Sequence, residues 1–125
     1  MDTELSGREV LLMKCIWERE GDVSIQDVQN DAKEKFDWDA KRSTVRTFLT
    51  SMEAKQYIKT ERRGRFTYIV PMVTEEAYRE DQTRKMIDFW YDGSKGILIK
   101  ALAKDDITEE GAAHLMEVLD ELSDD

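Results

Sequence analysis

The 125-residue sequence predicts a mainly α-helical chain carrying one small β-hairpin. Three observations predict it. Two serine-led capping sequences stand near the N-terminus, and a stripe of apolar residues at helical spacing runs through residues 40–56. Two runs rich in β-branched and aromatic residues then flank Arg63-Gly64.

The first helix opens at Ser6-Gly7-Arg8-Glu9, a capping box: the serine oxygen meets the third helical N–H and the glutamate reaches back. Leu5 and Val10 flank it at staple spacing, and Leu12, Met13, Ile16 and Trp17 supply a core face. Gly21-Asp22 stops the helix. Cys15 falls off the main stripe and reads as a small packing residue. Ser24 opens the second helix, with Asp27 three residues on and Val23/Val28 as a second staple, and the pattern runs to about Phe36.

Residues 40–56 predict a third helix. Val45, Phe48, Leu49 and Met52 sit at i, i+3, i+4 and i+7 and form one apolar stripe. Ser43, Arg46, Thr47 and Thr50 share that spacing on the opposite face, which is hydroxylated and basic and carries no acid. Residues 57–62 and 65–70 read as two strands. Phe66, Tyr68 and Val70 are expected to alternate inward, with Arg65 and Thr67 pointing away. Pro71, the only proline, ends the ladder because it has no N–H to donate. Helix, helix, helix, hairpin is the order of a winged helix-turn-helix, assigned to residues 1–73.

Residues 74–125 predict a helical region. Thr74-Glu75-Glu76 starts a long helix that reaches about Tyr91, and Asp92-Gly93-Ser94 breaks it. Ile97, Leu98, Ala101 and Leu102 mark a short helix, and Thr108 begins a last one striped by Leu115, Val118 or Leu119, and Leu122. About fifty residues in three helices would bury little by themselves, since small cores are marginal. Sharing Phe89, Trp90, Ile97, Leu98, Leu102 and the last stripe with a second copy resolves the shortage, so this region is expected to dimerise the chain.

The formal net charge of −9 argues against a polyanionic partner until it is divided along the chain. Residues 1–73 carry 13 Lys+Arg and 13 Asp+Glu, whereas residues 74–125 carry 6 and 15. Residues 40–70 hold eight basic side chains against Glu53 and Glu61, a local charge of +6. Local field decides docking, because charges beyond a Debye length are largely screened. Lys41, Arg42, Ser43, Thr44, Arg46, Thr47 and Thr50 on the third helix, with Arg62, Arg63 and Arg65 at the hairpin turn, are the candidate contacts to double-stranded DNA. Arginine can grip guanine O6 and N7 through both prongs, and threonine can meet a thymine methyl or a phosphate. The turn arginines are expected to position more than they specify.

Other classes find little support. One histidine, one cysteine, no phosphate-cradling glycine loop and no convergent carboxylate pair leave no catalytic constellation, so no enzyme and no cofactor is expected. His114 has no partners for a metal and reads as solvated; a lone cysteine permits no internal disulfide and no cysteine-built zinc site. The acidic start Met1-Asp2-Thr3-Glu4 does not look like a secretory signal, and no apolar run suits a membrane span. The expected compartment is the cytoplasm. The competing reading from another class is a winged helix used as a protein–protein adaptor.

The sequence resembles the penicillinase repressors from Leu5 to about Leu122. The resemblance rests on Met13-x-x-Ile16-Trp17, on Ser43-Thr44-Val45-Arg46-Thr47, on Gly64-Arg65 with Tyr68, and on Pro71-x-Val73. Tyr91-Asp92-Gly93-Ser94 and the helix from Leu115 to Leu122 complete it. It implies a homodimeric repressor on a palindromic operator, with the third helix of each copy in the major groove. Three departures accompany it. Trp38 lies about two residues upstream of the family's Trp-Ser position. Ala101-Leu102 stands where the penicillinase branch has its cleaved Asn-Phe bond, and Ser123-Asp124-Asp125 lacks the cysteine cluster of the copper-responsive branch. The inducing signal, including any upstream sensor protease, is therefore left open.

Overall fold

The computed structural model describes residues 4–104, 109–111, 113, 114 and 117. The element order is α1 (Gly7–Glu18), β1 (Val23–Ser24), α2 (Ile25–Phe36), α3 (Arg42–Ala54), β2 (Ile58–Arg63), β3 (Phe66–Pro71), α4 (Glu75–Tyr91) and α5 (Lys95–Ala103). This is a mainly helical chain with a small antiparallel sheet, the class its sequence predicts. Backbone proximity groups it into two compact units, Met1–Glu75 and Glu76–Asp125.

Local chemistry sets the helix starts of the first unit. Ser6 Oγ accepts from Glu9 N at 3.3 Å, and Glu9 Oε1 accepts from Ser6 N at 2.7 Å. Ser24 and Asp27 repeat the exchange, both bonds at 3.1 Å. Each box satisfies amides that a helix start leaves without partners. Helix α2 ends at Asp37, whose φ of 52° lies in the left-handed region. Trp38 N then donates to Ala32 O at 3.1 Å. The Trp38 ring meets Phe48 edge-on, 5.6 Å between centroids, and Arg8 lies 4.7 Å over its face. The departure at Trp38 thus has a packing role in the connection to α3.

The core of this unit joins Leu12, Met13 and Ile16 of α1, Val28 and Ala32 of α2, and Val45, Leu49 and Met52 of α3. Val23, Ile58 and Ile69 close it from the sheet. Each such large aliphatic side chain contributes about 1.5–3 kcal/mol when fully removed from water.

The sheet corrects one expectation. Its order is β1-β3-β2, so β3 is central, with Val23 opposite Ile69 and Ile69 opposite Thr60. Ile69 is buried, while Tyr68 and Val70 are half-buried and Phe66 is 57% exposed. The inward face of β3 therefore runs through Ile69, one residue out of step with the predicted Phe66-Tyr68-Val70 alternation. The cause is tertiary. Val23, read as a helix staple, is also a strand residue that pairs with β3, and the facing pair Val23–Ile69 turns that side of β3 to the helices.

In the second unit, α4 ends where Asp92 (φ 50°) and Gly93 (φ 77°) take left-handed conformations. Ser94 caps α5, its Oγ accepting from Ile97 N at 3.2 Å. Ile87 and Leu98 form a small buried cluster with Met86, Tyr91, Ile99 and Leu102 around it. Glu109, Glu110, Gly111, Ala113, His114 and Glu117 are helical. No helix among the described residues is long and apolar enough to cross a membrane.

Candidate nucleic-acid interface

Helix α3 buries Val45, Leu49 and Met52 and leaves Lys41, Arg42, Ser43, Thr44, Arg46, Thr47 and Thr50 exposed. Its first turn holds no acid. Thr47 and Thr50 donate their hydroxyls to Ser43 O (3.0 Å) and Arg46 O (2.9 Å). With those protons spent on the helix, what these threonines offer outward is a methyl group and an accepting oxygen. A face of methyls, accepting oxygens and one central guanidinium matches base edges and phosphates.

A cleft opens between the start of α2, the outer face of α3 and the hairpin. Arg42 and Arg46 enter it from α3, Arg65 and Phe66 from the hairpin, and Gln26 from α2. Arg46 also borders an adjoining depression lined by Thr50, Thr60 and Thr67. Arg42 donates to Gln26 Oε1, and Gln26 Nε2 donates onward to Asn30 Oδ1 at 2.8 Å. No carboxylate among the described residues pairs with Lys41, Arg42, Arg46 or Arg65. Three guanidiniums facing one channel make an electropositive slot suited to a polyanionic strand.

The other cations of the basic stretch are engaged within the protein. Lys55 Nζ lies 2.7 Å from Glu9 Oε1 and 2.8 Å from Glu4 O. Burial pushes the Glu9 carboxyl up, but the Lys55 and Ser6 hydrogen bonds outweigh it and hold the group below its ordinary value. Lys59 lies 3.4 Å from Glu61. Arg63 sits 2.8 Å from both Asp22 Oδ2 and Glu61 Oε2, and its guanidinium lies 4.8 Å over the Tyr68 ring. Arg62 donates to Gly64 O at 3.2 Å and keeps its charge facing solvent. Glu53, an acid near the slot, is occupied by Thr60 N (2.6 Å) and Thr60 Oγ1 (3.0 Å). Charge counting along the sequence could not separate these groups, because the acidic partners are up to 46 residues apart.

A sequence profile for the penicillinase repressor matches residues 5–121. The chain belongs to the penicillinase repressor family. This is a family of DNA-binding transcriptional regulators and not a class of enzymes. A search of curated proteins found no match.

Among the described residues, those expected to dimerise this family member divide in two. Leu98 is buried against Ile87 within the chain, and Leu102 is half-buried beside them. Phe89, Trp90 and Ile97 are 77%, 71% and 50% exposed, with the Phe89 and Trp90 rings edge-to-face at 4.9 Å. Leu115, Val118, Leu119 and Leu122 lie outside the described residues. His114 is exposed. Cys15 is buried, and burial pushes its thiol up to about 11, so it is protonated and unreactive at neutral pH.

Proposed function

We propose that this chain is a sequence-specific repressor that binds a palindromic operator as a homodimer. Helix α3 of each copy enters the major groove, and the hairpin rests on the flanking backbone. The observation that carries the reading is Arg46: exposed, free of any carboxylate partner among the described residues, central on an acid-free hydroxylated face, and flanked by Arg42 and Arg65 in one slot. Arg46 contacts a base edge, Thr47 and Thr50 meet thymine methyls or accept from bases, and Ser43 and Thr44 serve the adjoining positions. Lys41, Arg42, Arg62 and Arg65 neutralise phosphates.

Dimerisation draws support from the second unit. Two large aromatics and an isoleucine stand in water there, which monomeric surfaces rarely arrange without a partner. The excess of acid in residues 74–125 keeps that segment off DNA. A protein that binds chromosomal DNA in this way works in the cytoplasm of its cell.

The test is Arg46→Ala, assayed by fluorescence anisotropy on a duplex selected by the wild-type chain and on a scrambled duplex. Loss of about 1–3 kcal/mol per half-site is expected on the selected duplex, with little loss on the scrambled one. Equal loss on both would reduce Arg46 to a phosphate contact.

A further inference from the structure

We propose that Arg63 is not a DNA contact but the tether that fixes the wing, so that Arg65 and the cleft face meet the duplex at a set height and angle. The inference rests on the DNA-binding reading above and refines it. Strand β1 is two residues long and pairs with β3 only at Ile69 and Tyr68. Beyond Tyr68 the hairpin continues through Thr67 and Phe66, paired to β2 alone, to a turn where Gly64 has a φ of 64°. An isolated two-stranded ribbon is marginal in water, so the tip needs support from elsewhere.

Arg63 supplies it. It is the last paired residue of β2, opposite Phe66. One guanidinium nitrogen reaches Asp22, in the turn between α1 and β1, at 2.8 Å, and the other reaches Glu61 at 2.8 Å. The plane of the group covers the Tyr68 ring at 4.8 Å. A single exposed ion pair is worth little, but here one rigid fork makes three contacts, one of them to a segment outside the hairpin. Glu61 first and Asp22 second raise the affinity of Arg63 for its proton, and Arg63 in turn holds the Glu61 carboxyl below its ordinary value. The side chain is thus committed in the free protein, whereas Arg65 has no such partner among the described residues.

The experiment compares Arg63→Ala, Arg63→Lys, Asp22→Asn and Arg65→Ala in the full chain, by two readouts. The first is hydrogen exchange of the hairpin amides in the absence of DNA. The second is the dependence of duplex affinity on salt. A tether predicts several-fold faster exchange at the hairpin tip in Arg63→Ala, in Arg63→Lys (a lysine keeps the charge but not the fork or the stack) and, more weakly, in Asp22→Asn. It also predicts that Arg63→Lys leaves the salt slope as in wild type, while Arg65→Ala flattens it by about 0.9 for each phosphate no longer neutralised, with unchanged exchange. The proposal is overturned if Arg63→Ala flattens the slope as Arg65→Ala does, or if Arg63→Lys retains wild-type protection. Should the wild-type chain bind no duplex at all, the functional reading fails, and the exchange measurement still decides the tether.

Discussion

Lys55→Met separates fold from function most sharply. Lys55 belongs to the basic stretch by charge, yet it ends α3 with its ammonium on Glu9, a carboxylate only 2% exposed. Glu9 is there because the capping box of α1 needs it. Removing the cation leaves a buried charge held by neutral donors, the Ser6 amide chief among them. Breaking a buried pair this way costs about 3–5 kcal/mol. The lysine side chain is 20% exposed and the cap survives, so the low end applies, about 3 kcal/mol. Native domains hold about 5–15 kcal/mol in total. In urea unfolding that loss moves the midpoint down by about 2 M, for a slope near 1.5 kcal/mol per molar. Duplex binding by the folded variant should keep the wild-type salt slope. A midpoint within about 0.5 M of wild type, on the same slope scale, or a slope flattened as by Arg65→Ala, would show that Lys55 is not a structural partner of Glu9.

Acid should weaken the fold through the same kind of pairing. Glu9 and Asp31 sit below their ordinary values of 4.5 and 3.8, Asp31 through the hydrogen bond from Arg19 at 2.6 Å. Depressed carboxylates stabilise the fold above the unfolded pKa, so urea midpoints should hold from pH 7 to about 5 and fall steadily as the pH drops through the folded values. Trp90→Glu places charge on the exposed aromatic pair; sedimentation should report a monomer, with operator affinity down about 10²–10⁴-fold as the second contact stops being intramolecular. A wild-type sedimentation coefficient would remove Trp90 from the interface. Gly64→Val forces a β-branched residue to a φ of 64° and should cost about 1–2 kcal/mol in unfolding free energy, without altering the salt slope.

Features set by neighbours in sequence were legible before the structure, and those set by distant partners were not. Ser6/Glu9 and Ser24/Asp27 are self-contained exchanges across three residues, so both helix starts were readable. The α3 stripe follows from helical period alone, and it placed Ser43, Arg46, Thr47 and Thr50 outward, where they lie. Strand β1 escaped because two residues carry no period, and without it β3 could not be recognised as a central strand with Ile69 inward. The basic stretch looked uniform in sequence, yet Lys55 and Arg63 find acids 46 and 41 residues earlier. Gln26, which borders the slot and accepts from Arg42, gave no signal on a helix start read only for its cap.

Selection of bound duplexes from a random pool by the full chain decides whether this protein reads a palindromic operator. A dimer with one reading helix per copy should enrich one palindrome whose half-sites lie about one helical turn or a multiple apart, roughly 34–36 Å per turn. The same selection with Arg46→Ala should lose preference at one base pair in each half-site. An enriched single half-site without symmetry would contradict the dimer, and a pool that stays random would contradict sequence-specific binding itself.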